Sequence, residues 1–303
     1  MLDVLVRERD KYKDALIERN NEIGAVAYLR GDIETALSAT EQSLDLDPNG
    51  INGLSRKGMI FSLQGNLDEA EKTFMRIVNI AEATHNENTN AIGYGNLGII
   101  YGTRGELDKA EEMFKKSLEI DEKLGRQKEM AGDYGNLGLI YLTRGELDKA
   151  EEMLKKSLEI EEKLGRLEGM ASDYGNLGVI YQKKRELAKA EEMQKKSLEI
   201  NERIGRLEGI ARDYGNLGVI YQTRGELDKA EEMHIKALEI HQRIGDQEGM
   251  ANQYGNLGLI YVERGYLVKA REYWEKARDL FKKIGMPNEV KKVEGWIEKI
   301  KEK

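Results

Sequence analysis

Five copies of Tyr-Gly-Asn-Leu-Gly begin at Tyr94, Tyr134, Tyr174, Tyr214 and Tyr254, each forty residues after the last. A fixed period of this size means stacked supersecondary units: one unit cannot bury its apolar face alone, so neighbours cover each other. Recurring alanines set the register. Ala36 and Ala70 are thirty-four residues apart, and forty then separates Ala70, Ala110, Ala150, Ala190, Ala230 and Ala270. That makes seven units, the first and shortest ending at Asp47-Pro48.

Each unit reads as two helices. In the third, helix A covers roughly 91–103 and helix B roughly 107–124. Gly105 and Gly125 follow them and suit left-handed caps. At 100° per residue, Tyr94, Leu97, Gly98 and Tyr101 share one face of helix A, with Asn96, Ile99 and Thr103 opposite. On helix B, Leu107, Ala110, Met113, Phe114, Leu118 and Leu124 mark the expected buried stripe. Gly98 and Ala110 are small enough for close helix approach. The recurrent turn glycines break any long heptad run and set aside a coiled coil.

Composition narrows the function classes. The 303 residues are 40% hydrophobic and 34% charged, enough apolar content for a continuous core. A net charge of −8 argues against binding nucleic acid or an anionic membrane, which needs clustered Lys and Arg. No cysteine is present, so disulfides, thiolate nucleophiles and Cys metal sites are excluded. No apolar run approaches a membrane span, and the charged start Met1–Asp10 does not read as a signal peptide. A cytoplasmic protein without membrane or nucleic-acid partners is expected.

Small residues at Gly98 and Ala110, aromatics at Tyr94 and Tyr101, and the turn glycine Gly105 together resemble the tetratricopeptide repeat. The resemblance covers residues 17–285; residues 1–16 read as a lead-in and 286–303 as a capping helix, with Val290, Val293, Ile297 and Ile300 at helical spacing. The forty-residue units, with linkers such as Leu164 to Gly169, are similar to the longer repeats of kinesin light chains, GoLoco spindle-orientation adaptors and bacterial signalling proteins. The resemblance implies an all-α fold: an α-solenoid of about seven helix-turn-helix units in a right-handed superhelix, helix A lining the concave side.

The asparagines Asn96, Asn136, Asn176, Asn216 and Asn256 form a ladder, absent from the first two repeats, where Glu22 and Arg56 stand instead. A carboxamide offers one acceptor and two donor hydrogens, so it can hold a peptide backbone bidentately. The resemblance implies that role, since asparagine at this position contacts peptides in kinesin light chains, chaperone co-factors and O-GlcNAc transferase; bridging between neighbouring helices is the other reading. Gly95 and its equivalents would leave room for a close backbone. Ile99, Leu139, Val179, Val219 and Leu259 either floor a groove or pack between A helices. Arg104, Arg144, Lys184, Arg224 and Arg264 either meet ligand carboxylates or complement the helix C-terminal dipole.

Other motifs carry less. Residues 93–98 match G-x-G-x-x-G but lie within a helix rather than between strand and helix, and the next copy begins with Asp133. His234 and His241 lack a third ligand for a metal. Glu111-Glu112 precede lysines by four residues and read as a solvated face. No Ser/His/Asp constellation assembles, so neither an enzyme nor a cofactor is expected. The expectation is a scaffold that holds an extended protein or peptide segment, with exposed end faces that allow end-to-end self-association. The alternatives are a peptide-sensing module of a larger signalling protein, or a consensus array without a native ligand; Arg185 in place of a turn glycine speaks against design.

Overall fold

The computed structural model describes residues 2–301, with side chains described from 5 to 300. Among them are fifteen α-helices and no strand. None of these helices is long and apolar enough to cross a membrane. The chain divides into two compact units, Met1–Arg144 and Gly145–Lys303.

The first unit holds α1 (Leu2–Leu29), α2 (Ile33–Leu46), α3 (Ile51–Leu63), α4 (Leu67–Thr84), α5 (Glu87–Thr103), α6 (Leu107–Leu124) and α7 (Gln127–Arg144). The second holds α8 (Leu147–Leu164), α9 (Leu167–Lys183), α10 (Leu187–Ile204), α11 (Leu207–Thr223), α12 (Leu227–Ile244), α13 (Gln247–Glu263), α14 (Leu267–Lys283) and α15 (Pro287–Lys301). Within each unit, every helix packs on its neighbours in sequence. Odd-numbered helices α1 to α13 are the A helices and even-numbered ones the B helices. Residues 2–16 do not form a separate element; α1 runs unbroken through them.

Local sequence explains the boundaries. Helix α6 has the expected limits, whereas α5 starts a turn before residue 91. Asn86 sets that start, its side chain accepting from the Thr89 N–H at 3.1 Å and so satisfying an orphan donor. Exits are left-handed: Gly105 has φ 76° and Gly125 φ 66°, values that favour a residue without Cβ.

Close packing within a pair rests on Gly98. A Cβ there would lie 2.7 Å from the Phe114 ring, so only glycine lets that ring seat on α5. Ala110 and Phe114 are buried, as expected, but the stripe on α6 continues through Ser117 and Asp121. Leu118 is only half-buried and Leu124 is exposed. The 3.6-residue period favours 110, 114, 117 and 121 over the more apolar choices, and partners offset the burial of the polar pair. In the second unit α15 buries Val293 and Ile297 against Trp274, Ala277 and Phe281.

Candidate peptide-binding face

The asparagines stand on successive A helices, half-buried in every case: Asn96 and Asn136 on α5 and α7, Asn176, Asn216 and Asn256 on α9, α11 and α13. Asn96 donates to the carbonyl of Ile92 on its own helix at 2.7 Å. The other four side chains make no hydrogen bond to the protein among the described residues. They do not bridge helices, so their carboxamides are available.

The apolar residues three positions on differ along the chain. Ile99 and Leu139 are 48% and 41% exposed, whereas Val179, Val219 and Leu259 are half-buried. In the first unit, Asn136, Ile99 and Leu139 line one recess of about 680 Å³. In the second, Asn216, Asn256 and Val219 line another of about 310 Å³, together with Arg212, Asn252 and Gln253. The first recess has an apolar floor, and the second is lined by more polar side chains.

Beside two of the ladder glycines, side chains of the protein stand close by. A Cβ on Gly175 would sit 3.4 Å from Ser197 Oγ, and one on Gly215 would sit 3.2 Å from Gln253 Nε2. Both glycines are buried. Both glycines therefore face side chains of the protein itself.

The basic row is likewise committed. Arg104 pairs with Glu71 and, at 2.5 Å, with Asp68. Arg144 pairs with Glu111 and, at 2.6 Å, with Asp108. Lys184 meets Asp148 and Glu151, each at 2.5 Å. Arg224 pairs with Glu191 and also donates to the Leu187 carbonyl at 2.7 Å. Arg264 reaches Asp228 and Glu231 at 2.5 Å. The carboxylates these cations meet thus belong to the preceding B helix, and Arg104, Arg144, Arg224 and Arg264 are stacking residues rather than ligand anchors.

A tyrosine one turn earlier completes each clasp. Tyr101 donates to Glu71 at 2.8 Å, Tyr141 to Glu111 at 2.7 Å, Tyr181 to Glu151 at 2.8 Å and Tyr221 to Glu191 at 2.8 Å. Burial alone would push the Glu111 carboxyl up; hydrogen bonds from Lys115, Tyr141 and Arg144 outweigh it and hold the group at about 2. Glu151 and Glu191 are held at about 2 in the same way. Glu111 is thus half-buried and triply engaged, not on a solvated face; only Glu112, paired with Lys116, fits that description. The missed signal was the spacing of a tyrosine and a cation three residues on, Arg in four repeats and Lys184 in the fifth, from Tyr101 to Arg264.

A second set of polar residues lies between each B helix and the following A helix. Asp133 on α7 is buried, and burial pushes its carboxyl up to about 7 against a hydrogen bond from Ser117. One of its oxygens has no partner among the described residues. Burial pushes Asp173 up to about 7 as well. Asp213 accepts from Ser197 at 2.8 Å and from Asn201 at 2.7 Å, and burial raises it too. At the next step Gln253 takes this place, 2.8 Å from Nδ1 of the buried His234. Burial lowers His234 to about 4, so its ring is neutral near pH 7. His241 pairs instead with Asp246 at 2.8 Å, so the two histidines serve different partners. Among the described residues no group of three or more His, Asp or Glu side chains could hold a metal ion.

Antiparallel helix pairs, glycine-seated aromatics and clasps between successive pairs define a helical-repeat protein. The family model for the tetratricopeptide repeat matches residues 51–123, 130–203 and 209–285, and the chain belongs to the tetratricopeptide repeat family. No curated protein matches it. Among solved structures, BtubC (BKLC) from P. vanneervenii is 26% identical, with 72% of this chain and 92% of that one covered and a TM-score of 0.63. A Podosopora anserina kinesin light chain with nearly identical repeats is 20% identical over 66% of this chain and 98% of that one, at a TM-score of 0.54. The quorum sensor NprR from B. thuringiensis, in its apo form, is 13% identical over 88% of this chain and 76% of that one, at 0.66. The last two likenesses concern the fold alone.

Proposed function

We propose that this chain is a non-catalytic binding module that holds an extended peptide segment against its A helices, with asparagine side chains on the peptide backbone. The observation that carries this is the state of the rungs. Asn136, Asn176, Asn216 and Asn256 repeat every forty residues on half-buried sites, and no described residue of the protein satisfies them. Polar groups in partly dry surroundings stabilise a complex when a partner completes their hydrogen bonds. Residue 96 is a weaker rung, because its carboxamide already donates to Ile92.

Two backbone hydrogen bonds at about 1 kcal/mol each give roughly 6 kcal/mol for three rungs, before ordering costs. That corresponds to about tens of micromolar, so recesses beside the rungs supply further affinity and all sequence preference. A sensing role within a larger signalling protein is the second reading; the shared fold with a quorum sensor favours it.

The test uses a 12-residue peptide selected from a random display library. Its affinity for the wild type and for the Asn176→Ala/Asn216→Ala/Asn256→Ala variant, all within the second unit, is read by titration calorimetry, with circular dichroism as a fold control. A loss of tenfold or more with helix content intact supports the reading. Unchanged affinity refutes it, and unfolding of the variant assigns the asparagines to structure.

A further inference from the structure

Gly102 is the next-to-last residue of α5 and has no steric reason to be glycine. Its φ is not positive, unlike the turn glycines. A Cβ there would meet Ile140 Cδ1 at 3.7 Å and Ala110 Cβ at 4.0 Å, which is ordinary contact. Gly98 is different, since Phe114 occupies its Cβ space. The same position in the other repeats holds Tyr28, Ser62, Leu142, Gln182, Gln222 and Val262. Only here is the side chain missing, and the recess here, about 680 Å³, is wider than the equivalent one of about 400 Å³ between α9 and α11, where Gln182 stands.

The lining is apolar and electrically quiet. Ile99 and Leu139 stand at the rim, unusually exposed for their size. Thr103 and Thr143 spend their hydroxyls on the carbonyls of Ile99 and Leu139, each at 2.9 Å. Arg104, at the edge, is held by Glu71 and Asp68. A charged ligand side chain entering the recess would lose water and find no free counter-charge, which disfavours it. An aliphatic or aromatic side chain loses only apolar exposure and gains contacts.

We infer that the recess between α5 and α7, widened at Gly102, is a specificity subsite for one large apolar side chain of the bound peptide. This rests on the peptide-binding reading above, because Asn136 on the same rim would hold the backbone that delivers the side chain. Gly102 is the specificity-determining residue. In the equivalent recess between α9 and α11, Gln182 stands in the lining instead.

The experiment uses the full chain with methyl-labelled Ile, Leu and Val, observed by NMR. Three probes are titrated: 3-methylindole, N-acetyl-Gly-Trp-Gly amide and N-acetyl-Gly-Asp-Gly amide. The subsite predicts saturable shifts of the Ile99 and Leu139 methyls with the first two probes and none with the third. Gly102→Leu, which also restores helix propensity and so keeps the fold, is expected to weaken both apolar probes at least tenfold. Shifts that persist in Gly102→Leu, no saturable shift, or equal binding of the aspartate peptide each overturn the subsite. Asn136→Ala separates the two readings. If it weakens the tryptophan peptide but not 3-methylindole, both hold; if it changes neither while Gly102→Leu abolishes both, the subsite stands and the rung does not.

Discussion

At the residue scale, two kinds of acid set opposite pH limits on stability. Glu111, Glu151 and Glu191 sit at about 2 in the fold against an ordinary 4.5. A depressed carboxyl contributes stability above its unfolded value, and that contribution fades as pH falls from about 4.5 towards 2. Asp133 and Asp173 sit at about 7 against 3.8. The sign is reversed: the fold prefers the protonated form, so their effect is most favourable below 3.8 and stability is lost as pH rises through 7. Thermal stability is therefore expected to peak near pH 5, and a melting series that rises steadily to pH 8 would refute this. Asp133→Asn removes the ionisation that opposes folding and should stabilise at pH 8 by about 1–3 kcal/mol, with a smaller gain at pH 5; chemical denaturation at both pH values checks it. Arg144→Ala removes one of the two cations that hold Glu111 in a half-dry place, leaving Lys115, and should cost about 1–3 kcal/mol by the same measurement.

At the scale of elements, the sequence was most legible where backbone rules act alone. The ends of α6 followed from its apolar period and from Gly125, because only a few residues accept a left-handed exit. The start of α5 was misplaced because residues 87–90 are polar, and the cap from Asn86 makes them helical without an apolar stripe. Contacts between helices were harder to read. Ser117 and Asp121 look like surface residues in isolation, and only the seam with the next helix shows why burial is tolerated. The arginine row was ambiguous for the same reason, since its carboxylates lie over thirty positions earlier in sequence. Two turns depart from the glycine rule: His85 has φ 50° and Arg185 has φ 64°. That conformation costs roughly 1–2 kcal/mol for a residue with Cβ. Arg185→Gly is expected to raise stability by up to about 1 kcal/mol, the larger entropy of unfolded glycine offsetting part of the relief. Calorimetry showing a lower melting temperature would refute the strain.

At the scale of the molecule, the last repeat is written as an end. The acids that receive each clasp, such as Asp228 and Glu231, are replaced there by Val268 and Arg271. The buried polar seam becomes Ala277, Phe281 and Val293, an apolar contact with α15. An arginine placed as Arg264 is would find no carboxylate on α14, and α15 packs against this helix. Burying Val293 and Ile297 is worth about 1.5–3 kcal/mol each before the ordering of fifteen residues is set against it. Deleting residues 288–303 should therefore lower the melting temperature by about 5 °C and expose Trp274 and Phe281 to solvent. Hydrogen exchange would report the loss first in α13 and α14, since terminal units open most readily. Exposed end faces also associate, so light scattering should show concentration-dependent self-association of the truncated chain. A truncated protein that melts with the full chain and stays monomeric would show that α15 is an appendage and not the cover of the last repeat.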